Sequence, residues 1–344
     1  MILFECDYAE GAHPRILERL IQTNDEQTVG YSEDPHCEHA RQLIKKLCGN
    51  NNVDVHFLVG GTQTNTVVIS SALRPHQGVL AVDFGHINVH ETGAIEAKGH
   101  KVLTVPTKDG KITPQQIEAA YHDHWNDVNH EHIVQPAMVY ISNPTELGTI
   151  YTRTELQNIS ETCRRLGLLL FVDGARLGYG LMAEGNDVSI ADLATFCDAF
   201  YIGGTKCGAL FGEAVVLCND MLKRDFRYLI KQHGALLAKG RLLGIQFECL
   251  FEDDLYFRIS KHADQMAMQI REAFLQKGFS FYCDSYTNQQ FPIVPNEAME
   301  KLSKKYLFSL LAKIDESYTA IRFCTSWATR QENVSALIND INNL

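Results

Sequence analysis

Leu168-Leu-Leu-Phe-Val-Asp-Gly-Ala-Arg-Leu177 is the stretch that decides how this chain folds. Five apolar residues in succession predict a buried strand, and the strand stops at Asp173 with glycine directly behind it. An acid at the end of a buried strand is costly unless a cation meets it, so a purely structural ion pair with Arg176 carries less weight than a ligand site. In open α/β sheets ligands sit beyond the carboxyl ends of the strands, which places Asp173 and Arg176 at the expected site.

Outward from this strand, short apolar runs recur at Val53–Val59, Gly78–Val82, Lys101–Val105, Ala137–Ile141, Ala199–Ile202 and Ala214–Leu217. Segments of helical spacing lie between them, among them Thr64–Ala72, Pro114–His122 and Thr154–Leu166. The alternation predicts an α/β fold, a mostly parallel sheet with helices on both faces. After about Lys239 the pattern changes. A long helical stretch from Leu242 to Lys277 leads to short strands near Phe279–Cys283, Gln290–Val294, Phe308–Ile314 and Ala320–Cys324, with helices at Asn296–Lys305 and Arg330–Asn343. The expected division is a large domain over 1–240 and a small C-terminal α+β domain over 241–344, with the N-terminal segment reaching the small domain or the active site.

A chain of 344 residues with 45% hydrophobic content can bury a large core, and its length suits two domains. No run of 18 apolar residues occurs, and Met1–Asp7 has no basic region followed by an apolar stretch, so the expectation is a cytoplasmic protein with no membrane partner. The ten cysteines show no CxxC spacing and read as reduced thiols. Lys and Arg total 31 against 42 Asp and Glu, a net charge of −11, which opposes a nucleic-acid partner. His122, His124, His130 and His132 lie among Asp, Asn and Trp without regular ligand spacing; they read as a solvated connection, and no metal is expected.

Two further segments carry chemistry. In Phe57-Leu-Val-Gly-Gly-Thr-Gln-Thr-Asn65 an apolar strand runs into paired glycines and a helix start, where backbone N–H groups can bind a phosphate. A tight turn with a Thr cap is the plain alternative, and neither a P-loop nor a GxGxxG pattern is present. In Asp198-Ala-Phe-Tyr-Ile-Gly-Gly-Thr-Lys-Cys-Gly-Ala-Leu-Phe-Gly212 a single lysine, Lys206, sits in a glycine-rich turn between apolar strands. Partial desolvation there lowers an amine's pKa and favours Schiff-base chemistry, whereas a lysine on an exposed hairpin tip usually has polar neighbours. Phosphate turn, strand-end acid and glycine-flanked lysine, in that order, are what a pyridoxal 5′-phosphate (PLP) site requires.

The chain resembles the threonine aldolase/β-eliminating lyase family of fold-type I PLP-dependent enzymes over nearly its whole length. The resemblance rests on Asp7-Tyr-Ala-Glu-Gly-Ala-His-Pro14, Gly30-Tyr-Ser-Glu-Asp34, Gly60-Gly-Thr-Gln-Thr-Asn65, Gly85-His86 with Glu91, Val172-Asp-Gly-Ala-Arg-Leu177 and Gly204-Thr-Lys206. It implies that Lys206 binds PLP as a Schiff base, that Asp173 pairs with the pyridine nitrogen, and that Gly61 and Thr62 hold the phosphate. It further implies that His86 stacks on the ring and takes part in proton transfer, and it adds Asn143 and Thr205 to the cofactor contacts. His86-x-x-x-His90 is not a zincin pair, because Ile87 stands where that pattern needs Glu. Arg176 and Arg322 are implied as clamps on the substrate carboxylate, a task suited to a planar guanidinium. Lys231 and Lys239 resemble basic residues that reach a neighbouring subunit's phosphate, implying a homodimer or homotetramer with shared active sites.

The activity implied is that of a PLP-dependent lyase on small β-substituted amino acids. Retro-aldol cleavage of L-threonine or L-allo-threonine to glycine and acetaldehyde is the first expectation, and β-elimination to a keto acid and ammonia the second. A non-catalytic PLP-fold binding protein would have lost the lysine or the acid, and both are retained. Two positions depart from the family: Cys6 stands where a Ser tends to precede the early Asp, and Ile141-Ser-Asn-Pro-Thr-Glu-Leu-Gly148 stands where a Glu-Asn-Thr-His-Asn segment is usual. The second histidine is therefore missing, and His86, His90 and Glu146 remain as candidates for the base that a β-hydroxyl requires.

Overall fold

The apolar runs before Asn219 assemble into one seven-stranded sheet. In the computed structural model, which describes residues 1–344, the first strands are β1 (Ile2–Leu3), β2 (Asp54–Leu58), β3 (Gln77–Val82), β4 (Val102–Val105), β5 (Gln135–Ser142), β6 (Leu169–Asp173), β7 (Ala199–Gly203) and β8 (Glu213–Leu217). The large sheet runs β2-β8-β7-β6-β5-β3-β4. Only β8 opposes its neighbours, and every other pairing is parallel.

Alternate side chains feed two cores. Val55, Leu80, Val139, Leu170, Val172, Phe200 and Val216 face one, with the helices Pro35–Cys48, Arg153–Leu166 and Arg241–Phe251. Val79, Met138, Phe171, Ala199 and Val215 face the other, with the helices Gly61–Ala72 and Phe226–Gln232. Because both faces are dry, the strands are apolar throughout rather than alternating, which is why the sequence marks them so plainly.

The C-terminal part holds β9 (Gln289–Gln290), β10 (Ile293–Pro295), β11 (Tyr306–Leu307), β12 (Ser309–Lys313) and β13 (Tyr318–Cys324), with β9, β10 and β12 all antiparallel to β13. β1 pairs in parallel with β11, and Cys324 N–H donates to the Phe4 carbonyl at 2.8 Å. The first residues of the chain are thus tied to its last hundred, which leaves Asp7 and Tyr8 at the seam between the two sheets.

Three local expectations change. The helix expected from Leu242 to Lys277 is two, Arg241–Phe251 and Leu255–Gln276, separated where Asp253 (φ 54°) and Asp254 (φ 56°) adopt left-handed backbone; aspartate is among the few non-glycine residues that visit that region. Phe279–Cys283 is not a strand but a single bridge between Phe281 and Pro292. The change of core does not fall at residue 240. Arg241–Phe251 packs beneath the large sheet, and in the following helix Leu255, Tyr256, Ile259 and Ala263 belong to the same core, whereas Met266, Ile270, Ala273 and Phe274 belong to the small one.

Candidate active site

The carboxyl ends of β2, β3, β5, β6 and β7 open on one cavity of about 350 Å³. Each strand delivers a few residues to it: Gly60 to Thr62 follow β2, His86 follows β3, Ser142 ends β5 with Glu146 in the turn after it, Asp173 ends β6, and Thr205 and Lys206 follow β7.

Asp173 is buried, and four donors converge on it. Tyr201 Oη (2.5 Å) and Ala175 N–H (2.9 Å) meet Oδ1; Tyr140 Oη (2.5 Å) and Asn65 Nδ2 (3.1 Å) meet Oδ2. Burial alone would raise its pKa, but the neighbouring His86 imidazole, the two phenols and the Ala175 N–H outweigh it and hold the carboxyl below the ordinary range. The pleat explains the arrangement: Tyr140 lies opposite Phe171, two residues before Asp173, and Ala199, two before Tyr201, pairs with Phe171 on the other side. Tyr140, Asp173 and Tyr201 therefore share one face of three adjacent strands.

At the end of β2 no side chain caps the helix Gly61–Ala72, so the N–H groups of its first turn are left to the cavity. A Cβ at Gly60 would meet nothing within 4 Å, which is the open space a close-approaching anion needs. His86 enters from β3 with Nδ1 2.8 Å from Glu91 Oε1, and Glu91 Oε1 also accepts from Asn65 Nδ2 at 2.7 Å. A chain of contacts thus joins His86, through Glu91 and Asn65, to Asp173.

Lys206 lies in the turn between β7 and β8. Burial, aided by the Arg176 charge, lowers the pKa of its amine, against the opposing pull of Asp7, Asp173 and Glu213. Glu213 begins β8 beneath it, accepting from Thr205 Oγ1 at 2.8 Å and Gly204 N–H at 3.1 Å, and burial pushes its carboxyl up to about 8. Arg176 is fixed by Asp7: Nε donates to Oδ2 at 2.7 Å and Nη2 to Oδ1 at 3.0 Å, while Asn288 Nδ2 donates to Asp7 Oδ2 at 2.9 Å. One edge of the guanidinium is taken up by this pair, which leaves Nη1 without a hydrogen bond, and Arg176 lines the cavity.

The structure therefore brings together Gly61, Thr62, His86, Asp173, Arg176, Thr205 and Lys206. It does not bring Asn143 into the cavity: Asn143 Oδ1 turns inward to accept the Tyr151 N–H at 3.2 Å and braces the turn after β5. Arg322 also stands outside the lining, its Nη2 donating to the Glu5 carbonyl and to Ser309 Oγ, each at 3.0 Å, although its charge is felt at Tyr8 on the cavity wall. Lys231 and Lys239 are exposed and remote from this cavity within one chain; Lys231 Nζ lies 4.7 Å above the Tyr31 ring. Sequence reasoning missed Tyr140, Tyr201 and Glu213, which read as ordinary strand residues. Only the pairing of strands distant in sequence identifies them.

The donor set fits PLP: an uncapped helix N-terminus for a phosphate, an ionised buried carboxylate for a pyridinium, an imidazole at the wall and a desolvated amine in one cavity. The family described as β-eliminating lyase matches residues 7–296. The low specificity L-threonine aldolase of Pseudomonas aeruginosa is 30% identical over 346 residues, spanning 98% of this chain and 96% of its own length. The threonine aldolase structure from Leishmania major superimposes with a TM-score of 0.97 at 44% identity, covering 100% of this chain and 99% of that one. An aspartate aminotransferase of Thermus thermophilus, 13% identical with a TM-score of 0.73 over 100% of this chain and 92% of its own, shares the fold.

Proposed function

From the chain's membership of the β-eliminating lyase family we propose that it is a PLP-dependent aldolase cleaving L-threonine and L-allo-threonine to glycine and acetaldehyde. The observation that carries this reading is the single cavity in which Lys206, Asp173 and the open helix end at Gly61 converge. Lys206 would hold the cofactor covalently, Asp173 would face its ring nitrogen, Gly61 and Thr62 would take the phosphate, Thr205 would support the lysine turn, and His86 would lie on the ring. When bound, PLP supplies a conjugated sink for the electron pair of a broken Cα bond.

The chain's own groups do the rest. Four donors keep Asp173 ionised, so that it holds a proton on a partner nitrogen. The bidentate pair with Asp7 leaves Nη1 of Arg176 available for a substrate carboxylate, which would fix the Cα bond to be broken. Arg322 would add a second contact after a side-chain shift from Ser309. Lys231 and Lys239 would act on a neighbouring subunit's site, which makes the working form a homodimer or homotetramer. A cytoplasmic location accords with ten free cysteines, and no helix is long and apolar enough to cross a membrane. On the same footing we divide the chain inside the helix Leu255–Gln276, with β1 assigned to the smaller body.

The test is an absorbance spectrum of the protein with PLP, before and after L-threonine or L-allo-threonine, with glycine, aldehyde and ammonia assayed together. Glycine and acetaldehyde are the expected products. Ammonia and a keto acid without glycine would move the assignment to β-elimination. Lys206→Ala is expected to lose both turnover and the visible absorbance band, and retention of both would overturn the role of this lysine.

A further inference from the structure

Breaking the Cα–Cβ bond of a β-hydroxy amino acid requires a group that removes the hydroxyl proton, and the segment 141–148 holds no histidine for it. The ionisable side chains of the cavity can be sorted by what already occupies them. Asp173 is filled by four donors, one of them Tyr201. Arg176 is a cation held on Asp7. Glu213 is bound to Gly204 and Thr205 below the lysine turn. Burial raises the Tyr8 phenol, so it keeps its proton at neutral pH. His86 is committed through Nδ1 to Glu91, and on the reading above its ring would lie on the cofactor, which leaves Nε2 as its one ring nitrogen without a partner.

Among the carboxyls of the cavity, Glu146 is the one with an oxygen that no other residue occupies. Its Oε1 accepts the His86 N–H at 2.8 Å and Ser142 Oγ at 2.7 Å, and its own backbone N–H also bonds the carboxyl group, while Oε2 makes no hydrogen bond to another residue and the side chain lines the cavity. We propose that Glu146 is the carboxylate that takes the β-hydroxyl proton of the substrate, an assignment that rests on the aldolase reading above. The O–H bond breaks and its pair becomes the second bond of the aldehyde carbonyl. The Cα–Cβ bond breaks and its pair stays with Cα, and a proton taken up there completes glycine. One proton leaves oxygen and one arrives at carbon, so the step needs no oxidant or reductant. Burial supports the role by raising the pKa of this carboxyl above the ordinary carboxylate value, against the hydrogen bonds from Ser142 and His86 that lower it. A base matched more closely to neutral pH is a more effective one.

Glu146→Gln keeps an oxygen for the His86 N–H and Ser142 but removes the basic site. With the PLP-loaded enzyme, two reactions of the one cavity are compared: cleavage of L-threonine, which needs hydroxyl deprotonation, and exchange of the glycine α-proton in D2O, which does not. Cofactor uptake by absorbance and the melting temperature of the unloaded protein are measured alongside. The expected result is a fall in cleavage of about 10²- to 10⁴-fold, with glycine exchange, cofactor uptake and melting temperature close to those of the parent. Equal losses in cleavage and exchange, or cleavage at the parental rate, overturn the assignment. Should the Gln variant melt early, Glu146→Asp decides by the same split, since it retains the charge at shorter reach and is expected to lose cleavage selectively. A parent that releases no aldehyde at all sinks the aldolase reading and this assignment together, whereas a failed split in a variant of an active parent sinks only the role of Glu146.

Discussion

Glu213 and Asp173 are both buried carboxyls of one cavity, and their surroundings push them in opposite directions. Asp173 has four donors and no lone pair to spare, which is why it stays charged; Glu213, buried to the same degree, has two, so desolvation wins. A carboxyl raised to about 8 when folded adds stability below the ordinary carboxylate value and loses that contribution as pH rises through about 8. Glu213→Gln, neutral at every pH, is therefore expected to gain on the parent between acid and mildly alkaline conditions. In thermal melts of the cofactor-free protein, the melting temperature of the variant minus that of the parent should grow by about 2 °C or more from pH 5 to pH 9. Any fixed cost of turning an amide nitrogen toward Gly204 or Thr205 cancels in this difference, and a gap that does not change with pH would mean that Glu213 titrates normally. At this scale the sequence was informative about residues with unusual neighbours, such as Lys206 among glycines and Asp173 at the end of an apolar run. Tyr140 and Tyr201 left no such mark, because a tyrosine in a buried strand is ordinary until the strand between them is known to end in an acid.

The elements were legible for a physical reason. Strands dry on both faces are apolar throughout, and the seven strands of the large sheet fall within a few residues of the runs that announce them. Two helix starts are fixed by caps: Thr152 and Thr113 each form a reciprocal pair with the residue three positions on, Glu155 and Gln116. The short strands after Gly278 were harder to place, because β10 and β12 are partly exposed, β9 is two buried glutamines, and β11 takes its partner from β1 at the other end of the chain. The crossing of β6 into its functional turn also depends on contact: a Cβ on Gly174 would lie against the Tyr201 carbonyl oxygen, and Leu177 Cβ stands 3.1 Å away on the other side. Gly174→Ala is accordingly expected to force β6 and β7 apart, lowering stability by about 3 kcal/mol or more, in the range of overpacked buried sites. Urea unfolding would check this, and a variant with parental stability would show that the turn can yield.

For the whole molecule, the exposed Lys231 and Lys239 are proposed site residues that lie outside the cavity lining of a single chain. If they complete a neighbour's site, Lys206→Ala and a Lys231→Ala/Lys239→Ala double variant are each expected to be impaired alone, while oligomers reassembled from the two together recover activity, since one site in the hybrid is intact. No recovery despite subunit exchange seen by light scattering would confine the site to one chain. The sequence by itself determined the α/β class, the strand positions, and the identity of the lysine, the acid and the glycine turn, because each of these is a local property: apolar continuity, backbone freedom, or a charge in apolar company. Only the tertiary structure decided that Arg176 is shared with Asp7, that Asn143 turns inward, that two tyrosines hold Asp173, and that the change of core falls inside a helix. These depend on which strands, turns and termini become neighbours, over separations that run from 8 positions for Asn143 and Tyr151 to 169 for Arg176 and Asp7, and no local property of the chain announces such a pairing.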